Sequence, residues 1–150
     1  MSTEDEKEDT KVLKVHVKTH WEGGIKTTGL VRGFEVVADG QKWKYGTNTA
    51  PAPGEIFLAS IGACFTATFT KCAHERALIM DAVYSDVRGT ITHEMTGRER
   101  LERIDMELKV CADARYEKDL QACFEESKNR CPLTNVVLCL IEITYKFEKE

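Results

Sequence analysis

The chain has no excess of basic residues. Its 21 Lys and Arg stand against 25 Asp and Glu, a net charge of -4 at pH 7, so the phosphate-backbone attraction that supplies most nucleic-acid affinity is missing. Nucleic acid is excluded as an expected partner. Long apolar runs are absent too: the longest, Val136-Val137-Leu138-Cys139-Leu140-Ile141, falls far short of the roughly 20 residues a spanning helix needs. The first ten residues hold five acids and one lysine, without the basic and apolar segments of a secretion signal. A soluble cytoplasmic protein is expected, with no membrane partner. No two of the six cysteines lie closer than eight positions, whereas zinc ligands usually come in pairs about two to four apart. A structural zinc site is therefore not expected, and without a secretory signal the thiols should be reduced.

What is present fits one ordinary domain. A chain of 150 residues, 42% hydrophobic and 31% charged, can bury roughly two thirds of its unfolded surface. Residues 1–10 are too acidic and too poor in aromatics to order themselves and read as a disordered tail, leaving 11–150 as a single domain. Imperfect alternation from Val12 to Trp21 suggests a strand, Glu22-Gly23-Gly24 a turn, and Leu30–Ala38 a second strand. Asp39-Gly40 reads as a hairpin turn pairing that strand with Gln41–Tyr45. Pro51 and Pro53 then lead into a helix. From Gly54 to Leu78 the segment stays apolar nearly all round until Lys71, which predicts a central helix buried on several faces. Ala82–Met95 and Leu101–Ala112 alternate as two long strands, Tyr116–Arg130 has the three-to-four spacing of an amphipathic helix, and Leu138–Phe147 closes as a strand. The class is α+β.

Two cysteines stand in informative surroundings. Cys64 sits in Ala59-Ser60-Ile61-Gly62-Ala63-Cys64-Phe65-Thr66-Ala67, where a thiol can serve simply as a small hydrophobe. Cys131 precedes Pro132, and proline favours the first position of a helix, which would put Cys131 at an N-cap. There the helix dipole and unpaired N–H groups favour thiolate over thiol; the other reading is a plain turn residue.

Three motifs carry a resemblance to a known family. Thr47-Asn48-Thr49-Ala50-Pro51-Ala52-Pro53-Gly54-Glu55-Ile56-Phe57-Leu58-Ala59-Ser60-Ile61-Gly62-Ala63-Cys64 resembles the first-cysteine signature of the OsmC/Ohr family, Cys131-Pro132-Leu133-Thr134-Asn135-Val136-Val137 its second, and His20-Trp21-Glu22-Gly23-Gly24-Ile25-Lys26 the family's start. The resemblance implies an OsmC-like fold of antiparallel β-meander sheets wrapping two central helices, in an intertwined homodimer. It also implies a thiol peroxidase: Cys64 attacks an organic hydroperoxide and becomes a sulfenic acid, Cys131 resolves it as a disulfide, and a dithiol or lipoyl group reopens the bond. No cofactor or metal is implied. Family peroxidases add an arginine from the N-terminal meander and a glutamate at the start of the central helix. Here Thr27 or Thr28 occupies the arginine's place, so its role passes to Lys26 or Arg32, and Gly54 takes the glutamate's position beside Glu55. In a regular helix Glu55 lies about 180° round from Cys64, so it reads either as an active-site group or as a first-turn acid suited to the helix dipole. A non-enzymatic redox-sensing or ligand-binding dimer on the same fold is the alternative.

The other candidates are weaker. Cys72, eight positions after Cys64, reads as packing, or as a further redox partner if the helix kinks. Cys111, Cys123 and Cys139 are expected to be buried hydrophobes. His16 and His20 share a strand face but lack a third ligand at metal spacing, and His74 and His93 are expected in solvent.

Overall fold

The computed structural model describes residues 12–138 and 140–149. The acidic tail and Cys139 lie outside the described residues. Two compact units are present, one ending at Pro53 and one beginning at Gly54.

The first unit is a three-stranded antiparallel meander of β1 (Lys18–Gly23), β2 (Lys26–Val31) and β3 (Phe34–Ala38), in that spatial order. It corrects the sequence reading at three places. The first strand begins at Lys18, and residues 12–17 are exposed and irregular. The strand expected over Leu30–Ala38 is broken by a hairpin turn at Arg32-Gly33, where φ is 50° and 85°. Positive φ at both central residues is what a tight hairpin needs to match strand twist, and glycine meets it more readily than arginine.

The third correction concerns Asp39-Gly40. No strand follows; Lys42–Lys44 form one turn of 3-10 helix. The buried Asp39 carboxylate accepts hydrogen bonds from the N–H and hydroxyl of Thr47 (3.2 and 2.5 Å) and from those of Thr49 (both 3.0 Å). Its own N–H donates to the Pro51 carbonyl at 2.9 Å. These bonds fold the segment back on itself, so Gly46 lies where a Cβ would come within 1.9 Å of the Gly40 carbonyl oxygen. The Thr47 hydroxyl, contributing most, and the N–H groups of Thr49, Gly40 and Thr47 hold the Asp39 carboxyl well below the usual carboxylate range.

The second unit runs α1 (Pro53–Glu75), β4 (Met80–His93), β5 (Glu99–Ala112), α2 (Glu117–Arg130), α3 (Pro132–Leu138) and β6 (Glu142–Lys149). β4 and β5 form a long antiparallel hairpin. The chain then crosses through both shorter helices and returns along β5 as β6, which is parallel to it, as such a helical crossover requires. The last strand therefore starts at Glu142 and not Leu138, because residues 132–138 are helical. The core joins the inward face of α1 (Phe65, Phe69, Cys72, Ala73) to alternate residues of β5 (Met106, Leu108, Val110) and to Leu120, Cys123 and Phe124 of α2. Full burial of Phe65 and Phe69 contributes about 2–3 kcal/mol each. Gly62 lets α1 close on β4: a Cβ there would meet Val87 Cγ2 at 2.9 Å.

By length and composition α1 could cross a membrane. Its packing is that of a core helix on one side only. Ile61, Phe65, Phe69 and Cys72 are buried, while Phe57, Ser60, Ala63 and Ala67 are exposed. The burial on several faces expected from its composition is met on one face within this chain.

Candidate active site: a close cysteine pair

Cys64 lies midway along α1, partly exposed, its carbonyl accepting the Thr68 hydroxyl at 2.9 Å. Cys131 is fully buried in the break between α2 and α3. A residue before proline avoids the helical region, and Cys131 is extended (φ -70°, ψ 116°). Its N–H closes α2 on the Ser127 carbonyl at 3.0 Å, and its own carbonyl accepts the Asn135 N–H at 3.2 Å. Cys131 thus ends one helix and caps the next. This geometry brings its Sγ to 3.5 Å from Cys64 Sγ, across 67 positions of sequence.

The two thiols differ in their electrostatics. Burial pushes Cys64 up, the Cys131 sulfur pushes it further, and only the Leu133 N–H pulls it down. For Cys131 burial also acts upward, yet the Thr134 hydroxyl, the Thr134 N–H, the Cys64 thiol and the Leu133 N–H outweigh it, and the net direction is down. First-turn N–H groups have no partner within their helix, so they are free to face the sulfur. The two thiols are thus pushed in opposite directions, Cys64 up and Cys131 down. An apolar wall surrounds it: Phe65, Phe124, Val83, Val87 and Tyr145 belong to the same core cluster. The Tyr145 hydroxyl is buried without a hydrogen-bond partner among the described residues. Burial raises the Tyr145 pKa, the nearby Thr134 hydroxyl acts downward, and charge on Cys131 acts upward.

Of the five residues singled out in the sequence, the structure brings Cys64 and Cys131 together. Glu55 is exposed in the first turn of α1 and lines an open hollow of about 300 Å³ with Leu58, Ala59, Gly62, Ser85 and Val87. Cys64 is not part of that lining. Lys26 and Arg32 belong to the first unit. Lys26 Nζ is 3.8 Å from Glu22 on β1, and the Arg32 guanidinium lies 5.5 Å above the Phe34 ring. Among the histidines, His20 is 3.3 Å from Glu22 and His93 is 3.0 Å from Glu99, while His16 and His74 are exposed.

Sequence reasoning overlooked two features. Thr134, inside the second motif, is a polar contributor to the Cys131 environment; its three-residue offset from a helix cap was the available signal. Cys72 and Cys123 meet at 2.7 Å in the core. Their apolar helix faces were legible, but their mutual contact was not. Cys72 does not partner Cys64.

Residues 46–146 match the OsmC-like protein family. No curated protein matches the chain. Among solved structures, an OsmC-like protein from Mycoplasma pneumoniae superposes with a TM-score of 0.80 at 17% identity, over 91% of this chain and 97% of that one. An organic hydroperoxide resistance protein from Elizabethkingia anophelis gives 0.72 at 19% identity, over 94% and 100% of the two chains. The organic hydroperoxide resistance protein OsmC from Legionella pneumophila gives 0.69 at 12%, over 93% and 99%. At such identities the likeness is one of fold. With the family match spanning both cysteine motifs, the chain belongs to the OsmC-like protein family.

Proposed function

We propose that this protein is a thiol peroxidase that reduces organic hydroperoxides through Cys64 and Cys131. The observation that carries the reading is the 3.5 Å approach of a partly exposed sulfur to a buried one whose surroundings favour thiolate. Cys64 is the sulfur a hydroperoxide can reach. As it attacks the O–O bond, its proton passes to the departing alkoxide, directly or by way of the Cys131 sulfur, the alcohol leaves, and Cys64 becomes a sulfenic acid. The Cys131 thiolate then attacks Cys64 Sγ, and the sulfenic oxygen leaves as hydroxide, which takes a proton from solvent to become water. One hydroperoxide and two thiols become an alcohol, water and a disulfide. A dithiol or lipoyl group reopens it by exchange. The apolar wall suits an alkyl substituent. Glu55, and Lys26 or Arg32, are proposed to assist Cys64 by analogy with the family motif, in a homodimer.

The raised Cys64 thiol favours a second reading, a redox-sensing or ligand-binding dimer without turnover. Steady-state consumption of an alkyl hydroperoxide with a dithiol separates the two. The peroxidase reading expects turnover that falls at least a thousandfold in Cys64→Ser, while Cys131→Ser still reduces one equivalent of hydroperoxide per subunit before stalling. Absence of hydroperoxide-dependent dithiol oxidation in the unaltered protein would leave only the second reading.

A further inference from the structure

The closest sulfurs described in the molecule are not those of the candidate active site. Cys72 Sγ on α1 and Cys123 Sγ on α2 stand 2.7 Å apart, at 1% and 0% exposure. A covalent S–S bond measures about 2.0 Å, so bonding needs well under one ångström of further approach. One side of the pair is polar. Cys72 Sγ is 3.5 Å from Glu126 Oε2, and the same oxygen accepts from Arg76 Nη2 at 2.7 Å. Arg130 Nη1 completes the cluster, 2.7 Å from Glu126 Oε1 and 3.0 Å from Glu75 Oε2. Arg76 and Glu126 are both about one-third exposed, so an ion-pair lid, not packed core, separates the dithiol from water. The described residues contain no group of three or more His, Cys, Asp or Glu arranged for a metal. What the geometry provides is two sulfurs, a carboxylate in contact with one of them and a polar route outward.

We propose that Cys72 and Cys123 form a second redox-active dithiol, which a low-molecular-weight disulfide oxidises to a staple between α1 and α2. The Cys72 proton passes along the Glu126 carboxylate to solvent, and the Cys72 thiolate attacks one sulfur of the reagent, releasing its first thiolate and leaving a mixed disulfide. Cys123 then gives up its proton and attacks Cys72 Sγ, and the second thiolate departs. Two electrons move from the protein to the reagent, which leaves as two thiols once protonated. Cys72 goes first because its sulfur, in contact with Glu126, is the one on the side of the ion-pair lid. Burial pushes Cys123 up to about 12, which makes the second step slow. The staple would act on the scaffold of the first pair, because α1 carries Cys64 and Cys131 is the C-cap of α2. The proposal does not depend on peroxidase activity.

The test uses the full chain as a Cys64→Ser/Cys131→Ser variant, exposed to oxidised glutathione, then unfolded, alkylated and digested without reduction. The expected product is a Cys72–Cys123 linked peptide two hydrogens lighter than its parts, lost on adding dithiothreitol. Because the bond closes a span of 51 positions, the melting midpoint should rise by roughly 10 °C in the same sample. The unaltered chain, read for the same peptide, guards against a variant that folds poorly, and Cys123→Ala should show neither the peptide nor the rise. Both cysteines recovered alkylated, glutathione adducts alone, or pairing with other cysteines would overturn the proposal. A linked peptide without a higher midpoint would remove the staple.

Discussion

Cys64 and Cys131 are the same chemical group in contact with each other, and their backbones make them different. Cys64 is in mid-helix, where the neighbouring N–H groups are spent on the helix itself. Cys131 opens a helix whose first N–H groups are free, and Pro132 fixes it in that position. Thr134 adds a hydroxyl, within 3.3 Å of the Cys131 carbonyl and close enough to lower the thiol. A hydrogen bond to a charged group is worth about 1.5–3 kcal/mol, so Thr134→Val should cut the thiolate-to-thiol ratio of Cys131 about tenfold at neutral pH, and Thr134→Ser should restore it. The sign follows from the direction of the shift. A lowered thiol ionises at lower pH than an ordinary one, and the variant's ultraviolet thiolate absorbance should therefore appear only at higher pH. An unmoved titration would show that the N–H groups alone hold the charge. Much of this could be read in advance, because Cys131-Pro132 states both the helix break and the new start. The partner of Cys72 could not, since its position follows from how two helices pack and not from any local pattern.

Among the elements, those with a strong internal period were legible and those decided by a single side chain were not. The α1 and α2 helices and the β4–β5 hairpin fall within a few residues of expectation, because each repeats its pattern over many turns or pleats. The meander does not, for two local reasons. Arg32 occupies a positive-φ position without the usual Asn or Asp, and Asp39, which looks like a hairpin residue, instead gathers the loop through Thr47 and Thr49. That second reason gives a prediction at the scale of the element. Asp39 is depressed in the folded state, against about 3.9 unfolded. Its ionised form therefore stabilises the first unit fully above that value, and the contribution is lost as pH falls through it toward the folded pKa. Asp39→Asn should lower the melting midpoint at pH 7 and flatten the decline between about pH 5 and 2. Circular-dichroism melts of both proteins across that range give the difference curve; parallel declines would mean that Asp39 is not what acid releases.

On the scale of the whole molecule, α1 poses a problem that one chain does not solve. A helix apolar all round belongs in a core or a membrane, yet Phe57, Ser60, Ala63 and Ala67, which form one stripe at helical spacing, face outward opposite the buried Ile61–Phe65–Phe69 stripe. Small residues along such a stripe let another backbone approach closely, and the stripe stops at Lys71. Exposed apolar surface of this kind marks an interface, and a second copy of the chain is the occupant that the intertwined-dimer expectation supplies. Light scattering should then report about twice 17.0 kDa at micromolar concentration. Ala63→Glu, placing a charge in the middle of the stripe, should shift the mass to that of one chain, because two copies would each bury an unpaired carboxylate in the contact. Ala63→Ser keeps the size nearly unchanged and adds no charge, and should leave the dimer intact. A unaltered protein that remains at 17.0 kDa when concentrated would mean that α1 tolerates its outer face in water, and with it would go the explanation for why its sequence is apolar on every side.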